Sequence, residues 1–299
     1  MRKKIVFLDV DGTLTLPSGN VSQYVKDAIS FVRKNGHYVF LCTGRNKSSV
    51  SELMSIGFDG IICSAGGYIE INNQKIYESF LKEDDVLEAR KAFDKYHVLY
   101  NLEATHMTFS DDRMNEIFAR GALHKEHINS ELQRILNEQK TKFNIHALKE
   151  YDSNPVPIHK ICFIAEDKEA VEKVRKQLSY KYNFIIHDLF SIDTINGEII
   201  IKGTNKGNAV QKVIEELNIP IEDTICFGDS MNDYEMVQVC HYSVVMGNGD
   251  NELKKYATTI CESVEEDGVA LELKRLGLFL LWFFPLHFFH LDNMHKYHP

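Results

Sequence analysis

Little in this 299-residue sequence is suited to disorder or repetition: six prolines and 17 glycines are too few for a low-complexity chain, and no segment recurs at a fixed period. Basic residues are outnumbered 34 to 43, and the resulting net charge of −9 argues against a broad electrostatic footprint for nucleic acid or anionic lipid. The six cysteines contain no Cys-x-x-Cys pair, and Cys42, Cys63, Cys162 and Cys226 fall in or beside apolar runs, so buried free thiols are expected. After Met1-Arg2-Lys3-Lys4 only Ile5 to Leu8 is apolar before Asp9 interrupts, too short for a secretory signal, and a reducing, cytoplasmic location follows. What remains is ordinary for compact protein. The chain is 44% hydrophobic, 11% aromatic and 26% charged, with a length that suits about two domains.

The first 80 or so residues alternate strand and helix. Ile5 to Leu8 reads as a strand buried on both faces, ending in Asp9-Val10-Asp11-Gly12-Thr13. Val21, Val25, Ala28, Ile29 and Val32 recur at helical spacing, with Ser22 as the cap and Gly36 as the stop. Tyr38 to Cys42 is a second buried strand ending in Thr43-Gly44-Arg45, Lys47 to Ile56 a helix-sized segment, and Gly60 to Cys63 a third strand. Short connections between such elements predict a parallel sheet with right-handed crossovers.

From Glu83 to about Asp188 the rhythm changes. Amphipathic helices are expected at Val86 to Tyr96, Asn115 to Arg120, Glu131 to Asn137 and Lys168 to Tyr180, with strands at Ile161 to Ala165 and Phe184 to Ile186. The first rhythm then returns: a strand ending near Ile201, a helix after Lys206-Gly207, a strand Thr224 to Phe227 ending in Gly228-Asp229-Ser230-Met231-Asn232-Asp233, and a last strand Ser243 to Val245. The expected organisation is an α/β, Rossmann-like parallel-sheet core made of residues 1–82 and 189–276, an inserted α+β cap at 83–188, and a tail at 277–299.

Ligands of an open parallel sheet gather at the carboxyl ends of its strands. Three polar motifs sit at such ends, and Lys206 opens a helix. Singly, each has an ordinary structural reading as a turn or helix cap. Together, in this order, they predict one site. Asp9, Asp11, Asp229 and Asp233 gathered around Lys206 would carry excess negative charge, which calls for a cation, and an all-oxygen ligand set with room for water and a phosphate favours Mg²⁺. Asp9 is then the candidate nucleophile toward phosphorus and Asp11 the acid and base. Thr43, Gly44, Lys206 and Asn232 are candidate phosphate-binding residues; Asp229 is a direct metal ligand, and Asp233 binds through water or orients its neighbours.

These motifs resemble the haloacid dehalogenase superfamily, specifically its Cof-like subfamily IIB. The resemblance rests on Phe7-Leu8-Asp9-Val10-Asp11-Gly12-Thr13-Leu14, Cys42-Thr43-Gly44-Arg45, Asn205-Lys206-Gly207-Asn208-Ala209, Phe227-Gly228-Asp229-Ser230-Met231-Asn232-Asp233 with Met236, Met246-Gly247-Asn248 and Glu266-Asp267-Gly268-Val269-Ala270. It implies a phosphoric monoester hydrolase that uses Mg²⁺ and an aspartyl-phosphate intermediate, with Asp11 also giving its backbone carbonyl to the metal. The implied substrates are small phosphorylated metabolites: sugar phosphates first, then phosphorylated cofactors. The second acid of Asp-x-Asp implies water as the acceptor. Two other readings share the motifs. A phosphotransferase or phosphomutase would use the same intermediate, and a non-enzymatic phosphometabolite-binding regulator would be expected to lack a nucleophile, acid or ligand; none is missing.

Two features depart from the resemblance. Ala65-Gly66 stands where similar proteins usually carry Asn-Gly. Beyond Leu276, where the subfamily normally stops, runs the apolar segment Leu278 to Phe289. Its twelve residues, interrupted by Pro285, are too few for a membrane span, which needs about 20 as a helix. Contact with a membrane or partner, or packing on the core, are its expected roles. His287, His290, His295 and His298 follow no zinc spacing. In the insertion, Tyr100, His106 and Met107 share a segment that could face the cleft.

Overall fold

The computed structural model describes residues 2–114, 116, 144–187 and 195–279. Among them two sheets are formed. The first has eight strands, in the order β14 (Thr259–Ile260), β13 (Tyr242–Val245), β12 (Thr224–Gly228), β1 (Ile5–Leu8), β2 (Tyr38–Cys42), β3 (Gly60–Cys63), β4 (Tyr68–Ile71), β5 (Gln74–Glu78); the second has six, in the order β10 (Tyr182–His187), β11 (Ile195–Ile201), β9 (Lys160–Ala165), β6 (Leu99–Glu103), β7 (Thr108–Ser110), β8 (Ile145–Ala147).

In the first sheet, β1 (Ile5–Leu8) is central, parallel to β2 (Tyr38–Cys42) on one side and to β12 (Thr224–Gly228) on the other. Its four residues are fully buried because both faces are covered. Val6 and Leu8 join one apolar cluster with the helices Gln23–Lys34 and Gly268–Arg275; Ile5 and Phe7 join another with Lys206–Glu216 and Tyr234–Val239. A continuous apolar run is what a strand between two helical layers requires. The helix Gln23–Lys34 begins as expected, the Ser22 hydroxyl accepting from Val25 N at 3.2 Å.

Three details of this sheet differ from the sequence reading. Lys47 to Ile56 makes two short 3₁₀ turns, Ser48–Val50 and Leu53–Ile56, rather than an α-helix. After β3 (Gly60–Cys63) the chain adds two antiparallel strands, β4 (Tyr68–Ile71) and β5 (Gln74–Glu78), turning at Asn72-Asn73, both with positive φ. The strand β13 (Tyr242–Val245) is not the last; the short β14 (Thr259–Ile260) pairs beside it.

The second sheet contains β6 (Leu99–Glu103), β7 (Thr108–Ser110), β8 (Ile145–Ala147), β9 (Lys160–Ala165), β10 (Tyr182–His187) and β11 (Ile195–Ile201). Tyr100, Leu102, Ile161, Phe163 and Ile199 pack with the helices Glu83–Lys95 and Lys168–Leu178 in one cluster. One expectation is corrected here. The strand ending at Ile201, read as a return to the core, pairs antiparallel with β9 and β10 in this sheet, so the first sheet resumes only with the helix at Lys206. In Ile195–Ile201, Ile195, Ile199 and Ile201 join the helix-packed cluster while Asn196 and Glu198 lie on the other face, as suits a sheet packed on one side.

The helices expected at Asn115 to Arg120 and Glu131 to Asn137 fall outside the described residues, apart from Glu116. So does the tail beyond Phe279. Its first two apolar residues, Leu278 and Phe279, are buried in the first sheet's core; Phe279 stacks on Phe31, and Leu278 O accepts from Asn35 Nδ2 at 2.8 Å. All six cysteines are free, five of them buried. No helix among the described residues is long and apolar enough to cross a membrane.

Candidate active site

The strands β1, β2 and β12 end side by side, and their loops surround a cavity of about 450 Å³. Asp9, Asp11, Thr43, Gly44, Lys206, Asp229 and Asn232 all line it. Asp233 lies just beneath, with no exposed surface. Residues more than 200 positions apart are thus brought together.

Lys206 is the hub. It is 1% exposed, and its Nζ donates to Asp9 Oδ1 at 2.7 Å, Asp233 Oδ1 at 2.6 Å and Asn232 Oδ1 at 3.2 Å. Burial works against its charge, but Asp233 and Asp9 outweigh that and hold the ammonium protonated well above the usual lysine range. The bond to Asn232 leaves that amide's NH₂ free to donate into the cavity. Asp233 uses its other oxygen to accept the backbone N–H of Asp229 at 3.0 Å and of Ser230 at 3.3 Å. Gly228 makes this possible, since a Cβ there would come within 2.6 Å of the Asp233 carboxylate. Asp233 is therefore a brace that shapes the loop and fixes Lys206.

Carboxylate oxygens of Asp9, Asp229 and Asp233 lie within 4.8 Å of one another. Burial, and after it the Asp233 charge, pushes the Asp9 carboxyl up to about 7, against the pull of Lys206. The Asp229 carboxyl is raised still more clearly, by burial and then by Asp9 and Asp233. Three clustered carboxyls share one ammonium, and Asp229 Oδ1 is buried without a hydrogen-bond partner. A hard divalent cation such as Mg²⁺ fits these residues: it would satisfy that oxygen and relieve the repulsion that raises both carboxyls.

Asp11 stands apart from this cluster. The guanidinium of Arg45 grips its carboxylate with two bonds, Nε to Oδ2 at 2.9 Å and Nη2 to Oδ1 at 2.5 Å. The sequence reading quoted Arg45 within its motif but gave it no role, although a forked donor next to a strand-end acid is a signal of such pairing. Asp11 is thus oriented by a side chain from the next strand. The turn that follows uses Gly12 at φ 80°, as its tight reversal requires, and is tied down by Asn248, whose Nδ2 donates to Gly12 O at 2.8 Å while its Oδ1 accepts from Val264 N at 2.8 Å. Thr43 Oγ1 accepts the backbone N–H of Arg45 at 3.1 Å. Ala65 lines the cavity with left-handed backbone at φ 53°, a conformation that suits Asn better than Ala.

The second sheet contributes Lys160, Ile185 and Glu198 to the same cavity. Sequence reading missed all three. Lys160 and Glu198 were signalled only as charges within otherwise apolar strands. Tyr100 instead packs inside the second sheet's core, while His106 and Met107 border a different cavity of about 490 Å³ with Lys47, Tyr68 and Glu70.

Comparison with known proteins agrees with this geometry. The family model of the haloacid dehalogenase-like hydrolases matches residues 6–273. The putative phosphatase YkrA of Bacillus subtilis is 27% identical over 281 residues, 93% of this chain and 99% of that protein. From the same organism, the 5-amino-6-(5-phospho-D-ribitylamino)uracil phosphatase YitU is 28% identical over 283 residues, covering 90% and 96%. Among solved structures, a haloacid dehalogenase-like hydrolase from Bacteroides thetaiotaomicron superposes with a TM-score of 0.75 at 21% identity, covering 92% of this chain and all of that one. A subclass IIB sugar phosphatase superposes at 0.72, also at 21% identity, covering 92% and 100%. At these identities the structures establish a shared fold.

Proposed function

Because the chain belongs to the haloacid dehalogenase-like hydrolase family and is a hydrolase of phosphoric monoesters, we propose that it is a Mg²⁺-dependent phosphatase of small phosphorylated metabolites acting through an aspartyl-phosphate. One observation carries this reading: Lys206 joins Asp9 to Asp233 at the floor of a cavity where Asp229 keeps a buried, unpartnered oxygen.

Asp9 attacks phosphorus with a carboxylate oxygen, the ester P–O bond breaks, and the leaving oxygen takes a proton from Asp11. Water then attacks the acyl phosphate, Asp11 takes its proton, and Asp9 is released. The two bonds from Arg45 keep Asp11 aimed for both proton transfers. Lys206, Thr43, the Gly44 N–H and Asn232 donate to the phosphoryl oxygens. Asp9, Asp229 and the Asp11 carbonyl would hold Mg²⁺, with Asp233 behind them; the bound ion supplies the charge neutralisation that lets an anionic nucleophile approach an anionic ester. Residues from about 83 to 201 form the cap in this reading, and the substrates are sugar phosphates or phosphorylated cofactors; the relative YitU is named for a phosphorylated ribityl compound.

The test is phosphate release from a panel of phosphate esters with Mg²⁺, wild type beside Asp9→Asn. We expect Asp9→Asn to lower kcat by about 10⁴-fold or more, the scale that follows removal of a covalent nucleophile. Equal release by both proteins sinks the assignment of Asp9.

A further inference from the structure

The second sheet has one face packed on its helices, and its other face carries Glu103 on β6, Lys160 and Cys162 on β9, and Asn196 and Glu198 on β11. Lys160 lies across from Glu103 in the strand register, and Glu198 across from Cys162. The Lys160 Nζ donates to Glu198 Oε2 at 2.5 Å and lies 3.5 Å from Glu103 Oε2. Both members of the closer pair are about 5% exposed, and both border the catalytic cavity. The ammonium also reaches the phosphate loop, standing 4.0 Å from where a Cβ on Gly44 would be.

Stability does not account for this arrangement. Withdrawing a lysine and a glutamate from water costs several kcal/mol per ion, and apolar residues of similar volume are often as good or better at such positions. Apolar residues hold the opposite face of the same strands, so the sheet itself makes no demand for charge. The chemistry of the pair is specific. An ammonium offers donors and a carboxylate offers acceptors, side by side, in the cavity that Asp9 and Asp11 also line. A chain bearing adjacent hydroxyls can donate to Glu198 and accept from Lys160 at once, whereas an alkyl chain would leave both buried charges without water and without a new partner.

We infer that Lys160 and Glu198 are specificity-determining residues that read hydroxyl groups on the leaving portion of the substrate, selecting polyol and sugar phosphates over alkyl phosphates. This rests on the phosphatase reading above and names its substrate class at residue level. Burial opposes the Lys160 charge, but Cys162, Glu103 and Glu198 outweigh it, so the ammonium stays charged at neutral pH.

The test compares kcat/KM with Mg²⁺ for sorbitol 6-phosphate and its hydroxyl-poor counterpart n-hexyl phosphate, using wild type, Lys160→Met, Lys160→Arg and Glu198→Gln. Wild type is expected to prefer the polyol ester. In Lys160→Met and Glu198→Gln the ratio of the two kcat/KM values should fall roughly 10- to 100-fold, the loss expected for a hydrogen bond to a charged group, with partial recovery in Lys160→Arg. Thermal unfolding of each variant separates misfolding from lost recognition, and Glu198→Gln keeps the side-chain shape if Lys160→Met fails to fold. A ratio that stays constant while both activities fall, or while neither changes, overturns the inference and leaves the phosphatase reading intact. Release of phosphate from neither ester by wild type also overturns the inference, and the phosphatase reading itself then stands or falls with the ester panel described above.

Discussion

The central strands of the eight-stranded sheet carry no charge until they end. Ile5–Leu8 and Thr224–Gly228 are buried throughout, and Asp9 and Asp229 stand immediately beyond them. In the six-stranded sheet the charges lie within the strands instead: Lys160 is the first residue of β9, and Glu198 is the middle residue of β11, between Gly197 and Ile199. The difference follows from what covers each sheet. A strand between two helical layers has nowhere to put an ion except its tip, so chemistry concentrates at the tips. A strand covered on one face can project polar groups into a cleft along its length, where they can be exchanged without disturbing a core.

Lys206→Ala should break the first arrangement most severely. It leaves Asp9 and Asp233 buried without their cation, and a loss of about 3–5 kcal/mol in urea unfolding is expected together with loss of phosphatase activity. A stability change under about 1 kcal/mol would mean that the cluster is less dry than its burial implies.

The next largest effect is in pH. In metal-free protein the Asp9 carboxyl binds its proton at about 7 when folded, against 3.8 in the free side chain. The folded state therefore holds the extra proton between those values, and stability rises as pH falls from about 7 toward 4, by at most a few kcal/mol. Saturating Mg²⁺ binds the folded, deprotonated site and should flatten or reverse that slope. Lys160, raised above its ordinary 10.5, adds no slope in this window, because its stabilising charge is lost only at more alkaline pH. Tm against pH in EDTA and in Mg²⁺ measures both curves, with Asp9→Asn as the reference that isolates this group. Coincident curves for wild type and Asp9→Asn in EDTA would remove Asp9 as the cause.

The smallest effect is expected from Lys160→Met combined with Glu198→Met. Replacing both ions by apolar side chains, with Glu103 left partly open to water, should change stability by about 1 kcal/mol or less. If the double variant costs as much as Lys206→Ala, the two clusters are equivalent and the contrast between the sheets fails.

Most of the candidate site was legible in the sequence because the proposed chemistry dictates residue types at fixed places. That chemistry asks for a nucleophile, an acid two residues later and a glycine that turns the chain after a buried strand, and Asp9, Asp11 and Gly12 stand at those places. The Arg45 fork was harder to foresee, since a motif gives spacing and not the direction a side chain takes. Strand partners were harder again. Ile195–Ile201 reads as a strand in any context, but its membership of the second sheet depends on pairing with β9 and β10. The Lys160–Glu198 pair spans 38 positions and follows only from that pairing. The β4–β5 hairpin was signalled by Asn72-Asn73, two residues that tolerate positive φ, and was overlooked because the apolar run before it had already ended. Lys47 to Ile56 failed for a different reason: its serines compete for backbone hydrogen bonds, and tight 3₁₀ turns result.

The Asn248 bridge between Gly12 and Val264 bears on how this molecule is born. The loop holding Asp9 and Asp11 is made before its tether, and 236 residues separate Gly12 from Asn248. At about 5–20 residues per second, that loop waits roughly 10 to 50 s for its fastening during translation. A nascent chain halted between Lys206 and Asn248 would carry the Asp9 loop with its Lys206 and Arg45 partners but without this fastening, so the loop's last restraint is added long after the loop itself is made.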